Sequence, residues 1–179
     1  MTAYKVFETE RLQLIPTSEV DTKFILELMN TPKWFEYIGD RNVKTIASAK
    51  AYIANKMMPQ LQRLGYSNYT IVRKSDDAKI GTCGLFDREG VEGIDIGFAF
   101  LPAYEKQGYA FEAADKLKHM AFNEFGIPEL SAITAKNNCA SQALLEKLGL
   151  KQSGTTKLPN EDEEVLLYKL KNKTGYNHY

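Results

Sequence analysis

Residues 103–114 read AYEKQGYAFEAA. A strand pattern, IDIGFAFL at 94–101, runs into this stretch. An amphipathic helix pattern runs out of it, with Phe111, Ala114, Leu117, Ala121 and Phe125 recurring on one side. Two small residues, Gly108 and Ala110, stand at the handover. A helix leaves its first backbone N–H groups without intrahelical partners, and such an end attracts anions. Gly108 admits a backbone conformation that a side chain disfavours, and without a Cβ it lets a phosphate come close. Ala110 keeps the first helical turn small. A tight turn alone also accounts for Gly108, so the residues by themselves leave two readings, turn or anion cradle. No G-x-x-x-x-G-K-[ST] occurs in the chain and no G-x-G-x-x-G follows the first strand, so neither familiar phosphate loop applies.

Outward from this loop the periodicity is that of a mixed α/β chain. RLQLI (11–15) reads as a short strand stopping at Pro16. A helix capped by Thr17 or Ser18 follows and is ended by Pro32, with an aromatic patch, WFEYIG, beyond it. A second helix spans about 45–64, and Pro59 is expected to kink or divide it. YTIVRK and IGTCGLF form a hairpin across SDDAK, and IDIGFAFL is a third strand. The helix at 109–125 stops at Gly126 and Pro128. LSAITA is a strand, NNCASQALLEKLG a helix, and LKQSGTTK with EVLLYKLK a final strand pair. With no repeat or linker, residues 1–179 are expected to form one domain.

Composition supports this and narrows the partners. Hydrophobic residues make up 44% and charged residues 26% of 179 residues, with 10 Tyr and 9 Phe for packing, so the chain is expected to fold around a sizeable core. Lys+Arg and Asp+Glu are both 23, a balance that favours neither nucleic acid nor an anionic membrane. Cys83 and Cys139 are too far apart for a zinc motif or a disulfide framework, and no metal is expected. Lone thiols, a charged N-terminal stretch and no apolar run near the ~20 residues of a membrane helix suggest a cytoplasmic protein.

LPAYEKQGYAFEAA resembles the acyl-CoA loop of the GNAT N-acetyltransferases, Q/R-x-x-G-x-G/A, the pattern falling on Glu105, Lys106, Gln107, Gly108, Tyr109 and Ala110. ETERLQLIP (8–16), KIGTCGLFD (79–87) and NNCASQALLEKLGL (137–150) resemble, in the same order, stretches of the RimJ/RimL-like branch, which acetylates ribosomal-protein N-termini. The resemblance spans almost the whole chain. It implies a mostly antiparallel sheet flanked by helices, and direct transfer of acetyl from acetyl-CoA to a primary amine in a ternary complex. A protein or peptide α-amine is favoured. An aminoglycoside, a polyamine, an amino acid or a non-catalytic acyl-CoA-binding role stays open. A homodimer is implied by family habit only. Glu105 departs from the pattern by placing a carboxylate where a polyanion is expected.

The resemblance also assigns roles. The loop Lys106, Gln107, Gly108, Tyr109 and Ala110 would hold the pyrophosphate. Backbone groups of Phe98, Phe100 and Leu101 would pair with the pantetheine arm where the third strand splays from LSAITA, and a backbone N–H would polarise the carbonyl. Leu145 stands where many members have a catalytic Tyr. Ser141, in the N-x-x-S motif, would instead protonate the thiolate, with Asn138 contacting the arm or serving as a helix N-cap. Asp95 is the candidate base, sharing a strand face with the small residues Gly97 and Ala99, and Glu92 is a second choice. Cys139 as an acyl carrier and His119 as a catalytic group are disfavoured. The EDEE run (161–164) reads as a solvated turn.

Overall fold

The computed structural model describes residues 3–173. Eight strands form one sheet: β1 (Phe7–Glu8), β2 (Leu12–Pro16), β3 (Asn68–Arg73), β4 (Ala78–Phe86), β5 (Ile94–Phe100), β6 (Glu129–Thr134), β7 (Lys151–Lys157) and β8 (Glu164–Lys171). Their order is β1-β2-β3-β4-β5-β6-β8-β7, and every neighbouring pair is antiparallel except β5 and β6. The mixed α/β architecture follows the periodicity of the chain.

Six helices cover the sheet: α1 (Thr22–Met29), α2 (Pro32–Tyr37), α3 (Ile46–Tyr52), α4 (Met58–Leu64), α5 (Tyr109–Asn123) and α6 (Cys139–Lys147). Pro32 has two effects. It keeps α1 from continuing and then sits in the first turn of α2, where its missing N–H costs nothing. The stretch WFEYIG, expected only as an aromatic patch, is therefore largely helical, and Thr31 caps it by accepting from the Trp34 N–H. Pro59 divides the long second helix as expected. It lies in the first turn of α4, and a π-helical segment, Ile53–Met57, links that helix to α3.

The main core lies on the face covered by α5 and α6, where Leu12, Leu14, Tyr69, Ile71, Leu85, Ile96, Leu117, Leu130 and Leu145 are buried. A second core lies under α1 and α3, built from Phe24, Ile25, Leu28, Ala49 and Ile53, and reaches the sheet at Ala99 and Leu101. β5 thus carries side chains of both cores, with Ile96, Phe98 and Phe100 on one face and Ala99 and Leu101 on the other.

β5 and β6 stay together only briefly. Their paired residues are Ile94 with Leu130 and Asp95 with Ser131, whereas β4 and β5 pair from Gly81 with Phe100 to Phe86 with Asp95. Beyond Asp95 the two parallel strands part, and Gly97 to Phe100 become partly exposed. This is the splay that the family resemblance implies.

Candidate active site

The separation of β5 from β6 leaves a free strand edge inside the sheet. The Leu101 N–H donates to the Ile80 carbonyl at 2.9 Å, which makes this a hydrogen-bonded pair of the β4–β5 ladder. Antiparallel ladders alternate, so Ala99 and Gly97 also spend their backbone groups on β4, while Phe98 and Phe100 direct theirs towards the opening. Such an edge can pair with an extended amide-bearing ligand as a further strand would. Of the three residues expected to pair with a pantetheine arm, Phe98 and Phe100 present backbone groups to the cleft. The Leu101 N–H is already engaged.

At the end of β5 the chain turns through a 3-10 segment, Pro102–Tyr104, into the loop quoted above. Lys106 and Gly108 both take positive φ, +59° and +81°, an alternation that gathers successive N–H groups into an anion-sized concavity. The first intrahelical bond of α5 runs from the Glu112 N–H to the Gly108 carbonyl at 3.1 Å. The N–H groups of Tyr109, Ala110 and Phe111 precede it, and no side chain caps them. The residues fit a pyrophosphate: free donors, the positive end of a 15-residue helix, and no Cβ at the closest point.

Arg11 braces this loop, a role the sequence reading did not assign. Its Nη1 donates to the Gln107 carbonyl at 3.1 Å and its Nε to Glu112 Oε1 at 3.0 Å, and its guanidinium lies 4.3 Å from the Tyr109 ring centroid. Thr9 Oγ1 donates to the other Glu112 oxygen at 2.9 Å. Thr9 and Arg11 are the first and last residues of the TER in ETERLQLIP, so the signal was visible but its partner, about a hundred residues away, was not. Glu105 is neutralised across the loop, with Lys33 Nζ of α2 2.5 Å from its carboxylate.

The far wall of the cleft is the start of α6. Asn138 is its N-cap, its Oδ1 accepting from the Ser141 N–H at 3.2 Å. The Ser141 side chain is half-buried on the first turn, and its hydroxyl makes no hydrogen bond among the described residues. Leu145, one turn on, is buried in the main core and supplies no polar atom. Cys139 is exposed, whereas burial pushes the Cys83 thiol up and out of reach. Among the described residues no group of three or more His, Cys, Asp or Glu is placed to hold a metal ion, and no helix is long and apolar enough to cross a membrane.

Asp95 lies on the other face of β5. Its side chain is only 1% exposed, and Arg88 grips it, Nε lying 3.2 and 3.4 Å from the two carboxylate oxygens and Nη2 3.3 Å from Oδ2. Burial raises the pKa of Asp95 and the guanidinium opposes the rise, with burial the larger effect. The space that the small residue Gly97 leaves on this face is taken by an aromatic ring. Phe86, directly opposite Asp95, lays its ring over Gly84 and Gly97, and Arg88 stacks 5.3 Å from the ring centroid. Glu92 lies exposed in the β4–β5 loop, where its carbonyl accepts from Ser131 Oγ at 3.4 Å. His119 is exposed on α5 beside Asp115. The acidic run precedes and opens β8, with Glu161 3.6 Å from Arg41.

Residues 11–151 match the acetyltransferase (GNAT) domain, and the chain belongs to that family. It is an acetyl-CoA-dependent N-acetyltransferase. It is 25% identical over 152 residues to the uncharacterized N-acetyltransferase YoaA of Bacillus subtilis (strain 168), covering 84% of this chain and 85% of that one. An acetyltransferase from Agrobacterium tumefaciens str. C58 superposes with a TM-score of 0.81 at 22% identity, covering 96% and 97% of the two chains. RimL, a ribosomal L7/L12 α-N-protein acetyltransferase solved with coenzyme A, superposes with a TM-score of 0.79 at 16% identity, over 93% of this chain and 98% of that one. At these identities the two structures show a shared fold.

Two outcomes follow for this site. Gly108→Val puts a branched side chain at φ +81° and a Cβ 3.3 Å from Arg11 Nη2, displacing the brace as well as filling the phosphate approach. Acetyl-CoA affinity, measured by calorimetric titration, is expected to fall by about tenfold or more, with a stability loss of roughly 1–2 kcal/mol. For Asp95, a raised folded-state pKa means that the folded chain holds the proton more tightly than the unfolded chain. The contribution of Asp95 to stability is therefore greatest below the ordinary carboxylate range and is lost as pH rises through the folded value. The melting temperature of Asp95→Asn minus that of the parent should accordingly increase from pH 4 to pH 7. A difference that decreases over this range would show that Arg88, not burial, controls the group.

Proposed function

We propose that the chain transfers the acetyl group of acetyl-CoA to the α-amine of a protein or peptide N-terminus, as a member of the RimJ/RimL-like branch. The observation that carries this reading is the commitment of Asp95 to Arg88 on the face of β5 shared with Gly97 and Ala99, the face we assign to the acceptor. With that carboxylate engaged, the best-suited acceptor is an amine that reaches its neutral form with little help. An α-amine, with a pKa of ~8, does so near neutral pH, whereas a lysine-type amine, at ~10.4, does not. The fold likeness to a ribosomal-protein α-N-acetyltransferase supports the same choice.

In this reading Lys106 to Ala110 cradle the pyrophosphate, and the free edges of Phe98 and Phe100 pair with the pantetheine amides. The Phe98 N–H, pointing into the opening, stabilises negative charge developing on the thioester oxygen. Water carries the proton from the attacking amine. Ser141, on the opposite wall with its hydroxyl uncommitted, donates a proton towards the departing sulfur, and Asn138 holds the helix turn that carries it. Asp95 acts as a positioning residue that keeps Arg88 and Phe86 against the sheet.

Thiol release from acetyl-CoA tests the reading across three acceptor types: short peptides with free N-termini, Nα-blocked lysine, and spermidine. Turnover is expected with the free peptides and is expected to vanish when their α-amines are acetylated. Turnover confined to spermidine or blocked lysine would overturn it. Ser141→Ala should lower kcat by about 10²-fold, within the range for a lost general acid, while acetyl-CoA affinity stays within about twofold. An unchanged kcat would leave water as the proton donor.

A further inference from the structure

The ladder between β6 and β8 fixes which way each backbone group of β6 points. The two strands keep one register from Glu129 with Lys171 to Thr134 with Leu166. Just before it, the Asn172 N–H donates to the Pro128 carbonyl at 2.9 Å. Antiparallel pairs alternate, so Leu130, Ala132 and Thr134 spend their backbone groups on β8, while Glu129, Ser131 and Ile133 turn theirs towards β5. The parallel pairing of Ile94 with Leu130 and Asp95 with Ser131 uses the first two. A further rung, from the Ile133 N–H to the Ile96 carbonyl, would pair Ile96 with Ala132, but the pairing ends at Asp95.

Ile133 therefore brings both a free N–H and a free carbonyl into the opening. The Ala135 carbonyl, beyond it, is already taken by the Asn138 N–H at 3.0 Å and Gln142 Nε2 at 3.2 Å. Half-buried backbone groups left open in this way call for a partner. Continued past Asp95, the register sets the Ile133 carbonyl opposite the Phe98 N–H, the donor assigned above to the thioester oxygen. The Ile133 side chain lies on the face opposite Leu130 and Ala132, away from the main core and on the side assigned to the acceptor.

We propose that the first residue of the acceptor pairs with Ile133 as a single antiparallel rung. The attacking amine donates to the Ile133 carbonyl, and the Ile133 N–H donates to the first carbonyl of the acceptor. The proposal rests on the peptide-acceptor reading above and deepens it. An extended residue presents its own N–H and carbonyl on one side. Only an amine one carbon removed from a carbonyl therefore matches both groups of Ile133. A peptide N-terminus has that unit, whereas a polyamine or a lysine side chain does not. The hydrogen bond uses one amine hydrogen and leaves the lone pair for the thioester carbon. The C–N bond forms as the C–S bond breaks, and the proton shed by the amine leaves through water, so Ile133 takes none.

Thiol release tests the rung by comparing a free peptide with its E-alkene isostere, at a pH where both amines are neutral. The isostere replaces the first peptide bond with a carbon–carbon double bond and so lacks that carbonyl. Its kcat/KM is expected to be ~5- to 10-fold lower, as for a lost hydrogen bond. Ile133→Pro deletes the N–H where no bond to β8 is lost. It should lower kcat/KM for the peptide by a similar factor, leave the isostere unchanged, and keep acetyl-CoA affinity within about twofold. Ile133→Ala retains the N–H and should retain the parent's ratio between the two acceptors. Equal use of peptide and isostere by the parent would overturn the proposal without any variant. A proline effect shared by both acceptors would also overturn it, and a loss of acetyl-CoA affinity would give Ile133 to the cofactor instead. A parent that turns over spermidine or blocked lysine but no free peptide would remove the underlying reading, not only this rung.

Discussion

The functional architecture rests on a hydrogen-bond ladder that stops early. β5 and β6 pair at two positions and then part, although both strands continue. Unpaired backbone inside a sheet is expensive unless solvent or a ligand satisfies it. The chain leaves it open at one place only along β5, where burial falls away after Ile96. On its other edge β5 is tied to β4 from Asp95 to Phe100, so the open edge is held rigidly. A cofactor that pairs there meets a prearranged row of donors and acceptors, and little ordering cost is left to offset the binding.

Three devices hold the rest of the molecule around that opening. The two cores press on β5 from opposite faces, fixing its path. The Thr9–Arg11–Glu112 network ties the first turn of α5 to the β1–β2 corner, so the helix start cannot drift from the strand end. Lys33 of α2 pairs with Glu105 on the same loop, so a six-residue helix braces the loop side of the cleft.

Local order was largely legible in the sequence. Gly126 and Pro128 bound α5, and Pro59 divides α3 from α4, because these residues act on their own backbone. Pro32 was ambiguous for the same reason: it is as good a first residue for a helix as it is a stop. The loop was legible as an anion cradle only through its resemblance to a family, since Gly108 alone also fits a turn. Pairings that cross the chain were not legible. Nothing in IDIGFAFL says that Arg88, on the far side of a turn, closes over Asp95, and a carboxylate on a strand reads the same whether free or gripped. The free backbone edge of Ile133 is likewise a property of its surroundings, invisible in the letters LSAITA.

The ring of Phe86 has a further consequence for how this scaffold can diverge. A Cβ at Gly84 would come within 2.4 Å of the ring, and one at Gly97 within 3.1 Å. The two glycines are therefore conditional on the aromatic and not on the backbone, since neither has a positive φ. Substitutions at the three positions are not independent. A lineage that shrinks residue 86 frees 84 and 97 to acquire side chains, and one that fills 84 first must reorient residue 86. This patch of the sheet is thus inherited as a block, and its changes are expected to come in jumps rather than one position at a time.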